Sequence, residues 1–335
     1  MNKVLILGTS SFGGAATADF LLSKKFFVLG TYRRKKNPLY QPQTQNLKKK
    51  NFKDFKIDFD QDKDISKIIK IIDRYKPKYI IDFASICMVS ESWDYPENYI
   101  KSNLEKKSIL VRKLCSKRFL KKYIYISTPE IFGSNKYSIK EDSNIFNPST
   151  PYAISKLAFE MMLKSYGAHY NFPYIICRFS NFFGKGQPNY RLIPKVFLNI
   201  FSKKKFYLEG RGQSQRNFIE SYDFANGIYL TIKKGVVKNR YHFSSNKFYS
   251  IKKIVQIIYS LKSENFNKFV KYTKERKGKD QAYKLDCKKT IKSLGWKPKV
   301  SLINSLKKIK IFYEQNFIKL KKLDSRYKDK NFLNK

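Results

Sequence analysis

The sequence predicts an α/β fold, a doubly wound parallel sheet with a smaller C-terminal lobe. Three observations lead to it. Short β-branched runs alternate with helix-like stretches through the first half, the pattern of a parallel sheet with crossover helices. The first such run enters a glycine-containing turn followed directly by an apolar helix. After Arg178 the rhythm breaks into a Gly/Asn/Pro-containing stretch from Asn181 to Pro194. A chain of 335 residues has room for a main domain and a lobe, both with buried cores.

Taken in order, the expected strands are Lys3–Leu7, Phe27–Thr31, Phe55–Asp58, Tyr79–Phe83, Tyr123–Ser127 and Tyr174–Arg178. The expected helices are Ala15–Lys24, Ile65–Tyr75, Tyr99–Cys115 and Tyr152–Asn171. Residues 1–178 form the dinucleotide-binding domain on this reading, with a returning segment near 217–240. The substrate lobe takes 179–216 and 241–317, and a polar tail at 318–335 lies at the periphery. In an open sheet of this kind the ligand sits at the carboxyl ends of the strands.

The charge is extreme, +44 from 70 Lys and Arg against 26 Asp and Glu. Clustering decides whether that means a polyanion partner. Here lysines are spread through nearly every segment, with only short runs at Lys48–Lys50 and Lys203–Lys205, and no zinc-finger, RRM or helix-turn-helix pattern accompanies them. The surface reads as solvated, and neither nucleic acid nor membrane is expected as a partner. Cys87, Cys115, Cys177 and Cys287 stand far apart in apolar or helical contexts, which suits reduced thiols; disulfides and metals are not expected. The N-terminus has no signal-peptide pattern and no segment reaches a spanning length, so the expected location is cytoplasmic.

Strand Val4–Leu7 runs into Gly8-Thr-Ser-Ser11-Phe12-Gly13-Gly14. Gly8 permits the tight turn, Gly14 the close helix–strand packing, and the helix N-terminus faces a pyrophosphate, the arrangement of a Rossmann-like dinucleotide site. Ser11 replaces the middle glycine. The second strand ends in Tyr32-Arg33-Arg34 rather than in an acidic residue. An acid there would bond the ribose of NAD; an arginine pair can clamp a 2′-phosphate, so the cofactor is NAD or NADP with a lean to NADP. Asp58, after the third strand, is placed for the adenine. Phe12 in the turn and Ala84 after the fourth strand complete the expected cofactor-binding set.

Tyr152-Ala-Ile-Ser-Lys156 opens a helix, and its spacing puts both side chains on one face. A tyrosine with its ordinary pKa of about 10 is a poor base at neutral pH, so a neighbouring ammonium is chemically required. Lys156 is the expected source. Upstream, the fifth strand ends in Ser127-Thr128, whose hydroxyl can join the same substrate oxygen or simply cap a helix.

Together these residues resemble the extended short-chain dehydrogenase/reductase (NAD-dependent epimerase/dehydratase) superfamily, and more closely its nucleoside-diphosphate-sugar 4,6-dehydratases of the dTDP-glucose and GDP-mannose type. Gly8-x-x-Ser11-x-x-Gly14 and Gly30-Thr-Tyr-Arg33-Arg34 are similar to the GDP-mannose type. Ser127-Thr128-Pro129-Glu130-Ile-Phe-Gly133 resembles the dehydratases' Ser-Thr-x-Glu-x-Tyr-Gly segment. In the lobe, Arg178-Phe-Ser-Asn181-Phe-Phe-Gly184-x-x-Gln187 and Arg191-Leu-Ile-Pro194 resemble the dTDP-glucose type, as do Gly210 to Asp223 and Arg276 to Asp286. The resemblance implies Asn181, Gln187 and Arg191 near the nucleotide diphosphate, with Arg216 and Arg276 gripping phosphates. It also implies a homodimer paired through a four-helix interface of the helices at Tyr99–Cys115 and Tyr152–Asn171.

The implied reaction oxidises a sugar nucleotide transiently at C4 through Tyr152, Lys156 and Thr128, and then removes water across C5 and C6, with Glu130 as the base that takes the C5 proton. Pro129 stands where dTDP-glucose enzymes carry an aspartic acid, and proline cannot donate a proton. A C4-epimerase, a reductase or a UDP-glucuronate decarboxylase on the same scaffold stays open as an alternative, and a non-catalytic polyanion binder as an outside one.

Overall fold

The computed structural model describes residues 2–34, 39, 50–135, 137–275 and 278–323. Its first half comprises β1 (Lys3–Leu7), α1 (Phe12–Ser23), β2 (Phe27–Tyr32), β3 (Phe52–Lys56), α2 (Asp62–Tyr75) and β4 (Tyr79–Asp82). Next come α3 (Pro96–Ile100) and α4 (Lys106–Leu114), joined by a π-helical turn at Lys101–Glu105, then β5 (Lys122–Ser127), β6 (Ser138–Ile139), α5 (Pro151–His169) and β7 (Tyr174–Phe179). The second half runs through β8 (Asn181–Phe183), α6 (Leu192–Phe201), β9 (Phe206–Glu209), β10 (Gln215–Glu220), α7 (Ser221–Lys234) and β11 (Asn239–Phe243). It closes with β12 (Phe248–Ser250), α8 (Ile251–Leu261), α9 (Phe266–Phe269), β13 (Val270–Thr273), β14 (Lys284–Leu285), α10 (Lys288–Leu294) and α11 (Leu302–Lys321).

Seven strands form one sheet in the order β11-β7-β5-β4-β1-β2-β3. Every pairing in it is parallel. The order reverses at β1, so the crevice between the carboxyl ends of β1 and β4 is the switch point at which such sheets take ligands. β1 shows why the sheet needs helices on both faces. Val4 and Ile6 enter one apolar cluster with α1 and α7, while Leu5 and Leu7 enter another with α2, α4 and α5.

The third strand lies three residues earlier than expected, at Phe52 rather than Phe55, because it pairs Val28 with Phe52 and Thr31 with Phe55 along β2. β11 was not among the expected strands; Asn239–Phe243 adds to β7 at the sheet edge, with His242 opposite Arg178. Main-sheet structure therefore continues past residue 240 to Phe243, and Leu294 and Trp296 also pack into the sheet's core. The three-stranded β12-β10-β8 sheet, the β13-β9 pair, α6, α8 and α11 build the second cluster of apolar side chains. α11 carries helix beyond Phe317 to Lys321, and Leu320 is buried there, so the first residues of the expected tail are helical, while its residues 324–335 lie outside the described residues. Among the described residues no helix is long and apolar enough to cross a membrane.

Candidate active site

A cleft of about 620 Å³ opens at the carboxyl ends of the sheet strands and is closed on its far side by the lobe. Of the expected site residues, Gly8, Ser11, Phe12, Arg33, Asp58, Ala84, Thr128, Glu130, Tyr152, Lys156, Asn181, Gln187, Arg191 and Arg216 all line it. Gly14 lies beneath the turn, and Arg34 is outside the lining. Arg276 falls outside the described residues.

The turn after β1 shows how serine serves in place of the middle glycine. Ser11 caps α1, accepting from Gly14 N at 3.0 Å and donating from its hydroxyl to the Gly8 carbonyl at 2.7 Å. Gly8 has φ +91°, a left-handed conformation that glycine adopts without strain. A Cβ on Gly14 would run into the Gly8 carbonyl oxygen. Backbone thus lines the floor where bulk would fill it, at a helix N-terminus, and that cradle fits a dinucleotide pyrophosphate.

At the end of β2, Arg33 Nη1 lies 3.6 Å from Asp60 Oδ2. Asp58 accepts from Asp60 N at 3.2 Å, and its own N–H donates to Asp64 at 2.7 Å, so the loop after β3 is braced by carboxylates.

Thr128 caps the short 3-10 turn Pro129–Phe132, accepting from Glu130 N at 3.3 Å. The cap and the functional reading meet in one side chain, because Thr128 also hydrogen-bonds the Tyr152 phenol. Burial pushes the Tyr152 pKa well above its ordinary value, and the Glu130 carboxylate and Cys87 push the same way; the Thr128 bond and the Arg191 guanidinium oppose them. Tyr99 packs edge-on against Tyr152 at 6.3 Å. Arg191, expected at the diphosphate, thus also bears on the phenol, and its Nη2 lies 3.3 Å from Cys87 Sγ.

Lys156 Nζ donates to the Ile126 carbonyl at 2.8 Å and to Ser85 Oγ at 3.0 Å. Burial, helped by the charge of Lys107, lowers its pKa to about 7. α5, which carries Tyr152 and Lys156, is started by Thr150, whose side chain accepts from Ala153 N at 3.2 Å, with Pro151 in the first turn. It is fixed to the π-helical turn by Asn103, which bonds Ser155 Oγ at 3.1 Å and Ile86 O at 3.0 Å.

The lobe closes the cleft through backbone acceptors. Arg216 donates to the carbonyls of Gln215 (2.8 Å), Gln281 (3.3 Å) and Asp280 (2.8 Å) and stacks on Tyr283, whose hydroxyl donates to Asn181 at 3.1 Å. Asp280 in turn accepts from Ser134 (3.3 Å) and Ser149 (2.9 Å). Gln187 Nε2 is held by the Phe182 carbonyl at 3.1 Å.

Sequence reasoning missed Ser85, Cys87, Asp60 and Tyr190, all in the lining. The first two follow a strand end next to Ala84, which was the available signal. Asp60 lies two residues beyond Asp58 in the same loop after β3, and no spacing in the sequence favours it over Asp58.

The chain is similar to known proteins over most of its length. The family model described as GDP-mannose 4,6 dehydratase matches residues 5–309. A dTDP-D-glucose 4,6-dehydratase of Homo sapiens is 30% identical over 243 residues, which span 71% of this chain and 69% of that protein. The crystal structure of a dTDP-glucose 4,6-dehydratase from Streptomyces venezuelae, solved with NAD bound, superposes with a TM-score of 0.85 at 22% identity, covering 94% of this chain and 97% of that one. A UDP-glucuronic acid 4-epimerase from Bacillus cereus, solved with UDP-glucuronic acid and NAD, gives 0.83 at 21% identity, covering 93% and 99%. At such identities the two structures establish a shared fold.

Proposed function

The chain belongs to the GDP-mannose 4,6 dehydratase family, and on that premise we propose that it is a nicotinamide-dependent nucleoside-diphosphate-sugar 4,6-dehydratase. The observation that carries the reading is the convergence of Thr128, Glu130 and Tyr152 at one wall of the cleft, close enough for Thr128 to bond the phenol and for Glu130 to act on its ionisation.

A nicotinamide dinucleotide in the cradle would supply a hydride acceptor that later returns the hydride. Gly8, Ser11, Phe12 and Gly14 would hold its pyrophosphate, and Ala84 and Asp58 would face its adenosine half. The protein's own steps concern protons. Tyr152 accepts the C4 hydroxyl proton, while Thr128 orients the same oxygen. Oxidation at C4 acidifies the C5–H bond, and Glu130 takes that proton. The protons taken up, one by Tyr152 and one by Glu130, equal the two required: one leaves with the C6 hydroxyl as water, and one returns to C5. Pro129 therefore does not bar elimination, because no third acid is needed.

Arg191, Asn181 and Gln187, with Arg216 and Arg276, are proposed to hold the nucleotide diphosphate. Arg33 and Arg34 support the lean to NADP, whereas Asp60 beside Arg33 opposes a 2′-phosphate; titration with NAD and NADP separates the two by relative Kd. Ile154 and Met161 are exposed seven positions apart on α5, and Ile100 on α3 is exposed as well, which supports a homodimer through these helices. The four unpaired cysteines suit a reducing, cytoplasmic location.

The deciding experiment is incubation with a panel of nucleoside-diphosphate sugars, reading product mass. Loss of water supports the proposal. Loss of carbon dioxide, or an unchanged mass with a new chromatographic position, overturns it in favour of decarboxylation or epimerisation, the second of which the fold also carries.

A further inference from the structure

Beneath the catalytic helix, a chain of buried polar groups runs away from the cleft. Lys107, on α4, donates from Nζ to Asp82 Oδ2 at 2.7 Å and to Ser85 Oγ at 2.9 Å. Asp82, the last residue of β4, also accepts from the Tyr123 hydroxyl at 2.7 Å and from Ala84 N at 2.9 Å. Lys107 is 2% exposed and Asp82 is 0% exposed. The Ser85 hydroxyl that Lys107 reaches is the same one that Lys156 reaches, and both ammonium groups sit over the Tyr125 ring, at 5.0 and 4.2 Å.

Two cations on one serine oxygen have a stereochemical result. A hydroxyl offers two lone pairs and one hydrogen. With both lone pairs taken by ammonium donors, the hydrogen is left for an acceptor in the cleft that Ser85 lines. Lys156 is constrained too: of its three donors, Ser85 and the Ile126 carbonyl take two.

We propose that Lys107, anchored by Asp82, is a positioning residue that acts through Ser85, fixing the Lys156 ammonium and turning the Ser85 hydroxyl into a donor toward a ligand oxygen in the cleft. The electrostatics agree in direction. Lys156 faces Lys107 from α4, Asp82 from β4, Cys87 from the loop beyond it and Glu160 on its own helix; after burial, Lys107 is the largest influence lowering its pKa, and the other three raise it. Burial also lowers the Lys107 pKa, against the pull of Asp82.

The kinetic part of the test rests on the dehydratase reading, and the titration does not. Full-length Lys107→Met, Asp82→Asn/Lys107→Met, Ser85→Ala and Ser85→Ala/Lys107→Met are compared with the parent. Lys107→Met alone leaves a buried, unpaired carboxylate; the Asp82→Asn/Lys107→Met variant removes both charges and retains an acceptor for Ala84 and Tyr123. In lysine-labelled protein followed by NMR, the Lys156 titration moves up by about one pH unit in Lys107→Met, and by less in the double variant, where the opposing pull of Asp82 is also gone. With sugar nucleotide, kcat falls about tenfold or more while KM stays within about twofold, and Lys107→Met adds nothing once Ser85 is alanine. Folded variants with an unmoved Lys156 titration, or losses that simply add in the Ser85→Ala background, overturn the proposal. A parent enzyme that turns over no sugar nucleotide removes the dehydratase reading and leaves the titration to decide this one.

Discussion

Arg178 on β7 grips Glu160 on α5 with two parallel bonds, Nε to Oε1 at 3.1 Å and Nη2 to Oε2 at 2.5 Å, and neither side chain is exposed. The guanidinium also lies over the Phe132 ring at 4.9 Å. The pair therefore fixes the helix bearing Tyr152 and Lys156 to both the sheet and the Glu130 turn. Glu160→Gln leaves a buried guanidinium without its counter-charge, and the expected loss is about 3–5 kcal/mol in urea unfolding. A midpoint unchanged from the parent would show that the fork contributes nothing net.

Tyr152→Phe removes the proton acceptor and keeps the ring that packs on Tyr99. Turnover should fall by about 10²–10⁴, with dinucleotide affinity retained. Glu130→Gln should separate the steps: substrate still reduces the bound cofactor, seen by its absorbance, while dehydrated product disappears. Continued water loss in Glu130→Gln would assign the C5 base to another residue.

Ser11 gives a graded test of the turn. Ser11→Ala deletes both the cap of α1 and the bond to Gly8, at a cost of about 1 kcal/mol, whereas Ser11→Gly costs only a few tenths. Cofactor affinity should follow the same order, since the cap holds the N–H groups that face the pyrophosphate. Equal cofactor affinity and stability in the two variants would separate the hydroxyl from the turn.

His242 sets a pH dependence of stability. Its Nε2 lies 3.1 Å from Arg178 Nη1 and so accepts, and its Nδ1 lies 3.1 Å from the Asp286 carbonyl and so donates, which requires the neutral ring. Burial, and then the charge of Arg178, hold its pKa well below the ordinary value. The unfolded chain takes up a proton below about pH 6.5 that the folded chain refuses, so stability falls with acidification by up to about 1.4 kcal/mol per pH unit. In His242→Gln this contribution to the slope should vanish between about pH 6.5 and 5, measured as denaturation midpoints across pH.

How much of this was legible depends on what each residue type advertises. β1 announces itself, because Val4 to Leu7 are buried on both faces and nothing polar interrupts them. β11 does not, since Arg240 and His242 read as surface, and the second is buried among Arg178, Phe132 and Asp286, which are distant in sequence. The helix expected from Tyr99 to Cys115 is interrupted by a π-helical turn in which Asn103 bonds Ile86 and Ser155, and no hydrophobic period registers such side-chain bonds. The cleft residues were legible where a motif fixed their spacing, as from Ser127 to Glu130 and from Tyr152 to Lys156. Lys107 was hidden by composition: in a chain so rich in lysine, one more on a helix reads as solvated, and only the folded structure, which buries it beside Asp82 and Ser85, marks it as interior.

Asp280 joins three parts that chemistry needs to act together. Its carboxylate holds Ser134, just beyond the Glu130 turn, and Ser149, just before the catalytic helix, while its carbonyl is held by Arg216 of the lobe. Any swing of the lobe must drag both serines or break their bonds. The wall that the lobe lends to the cleft and the two segments that carry the reacting groups are therefore pinned at a single residue.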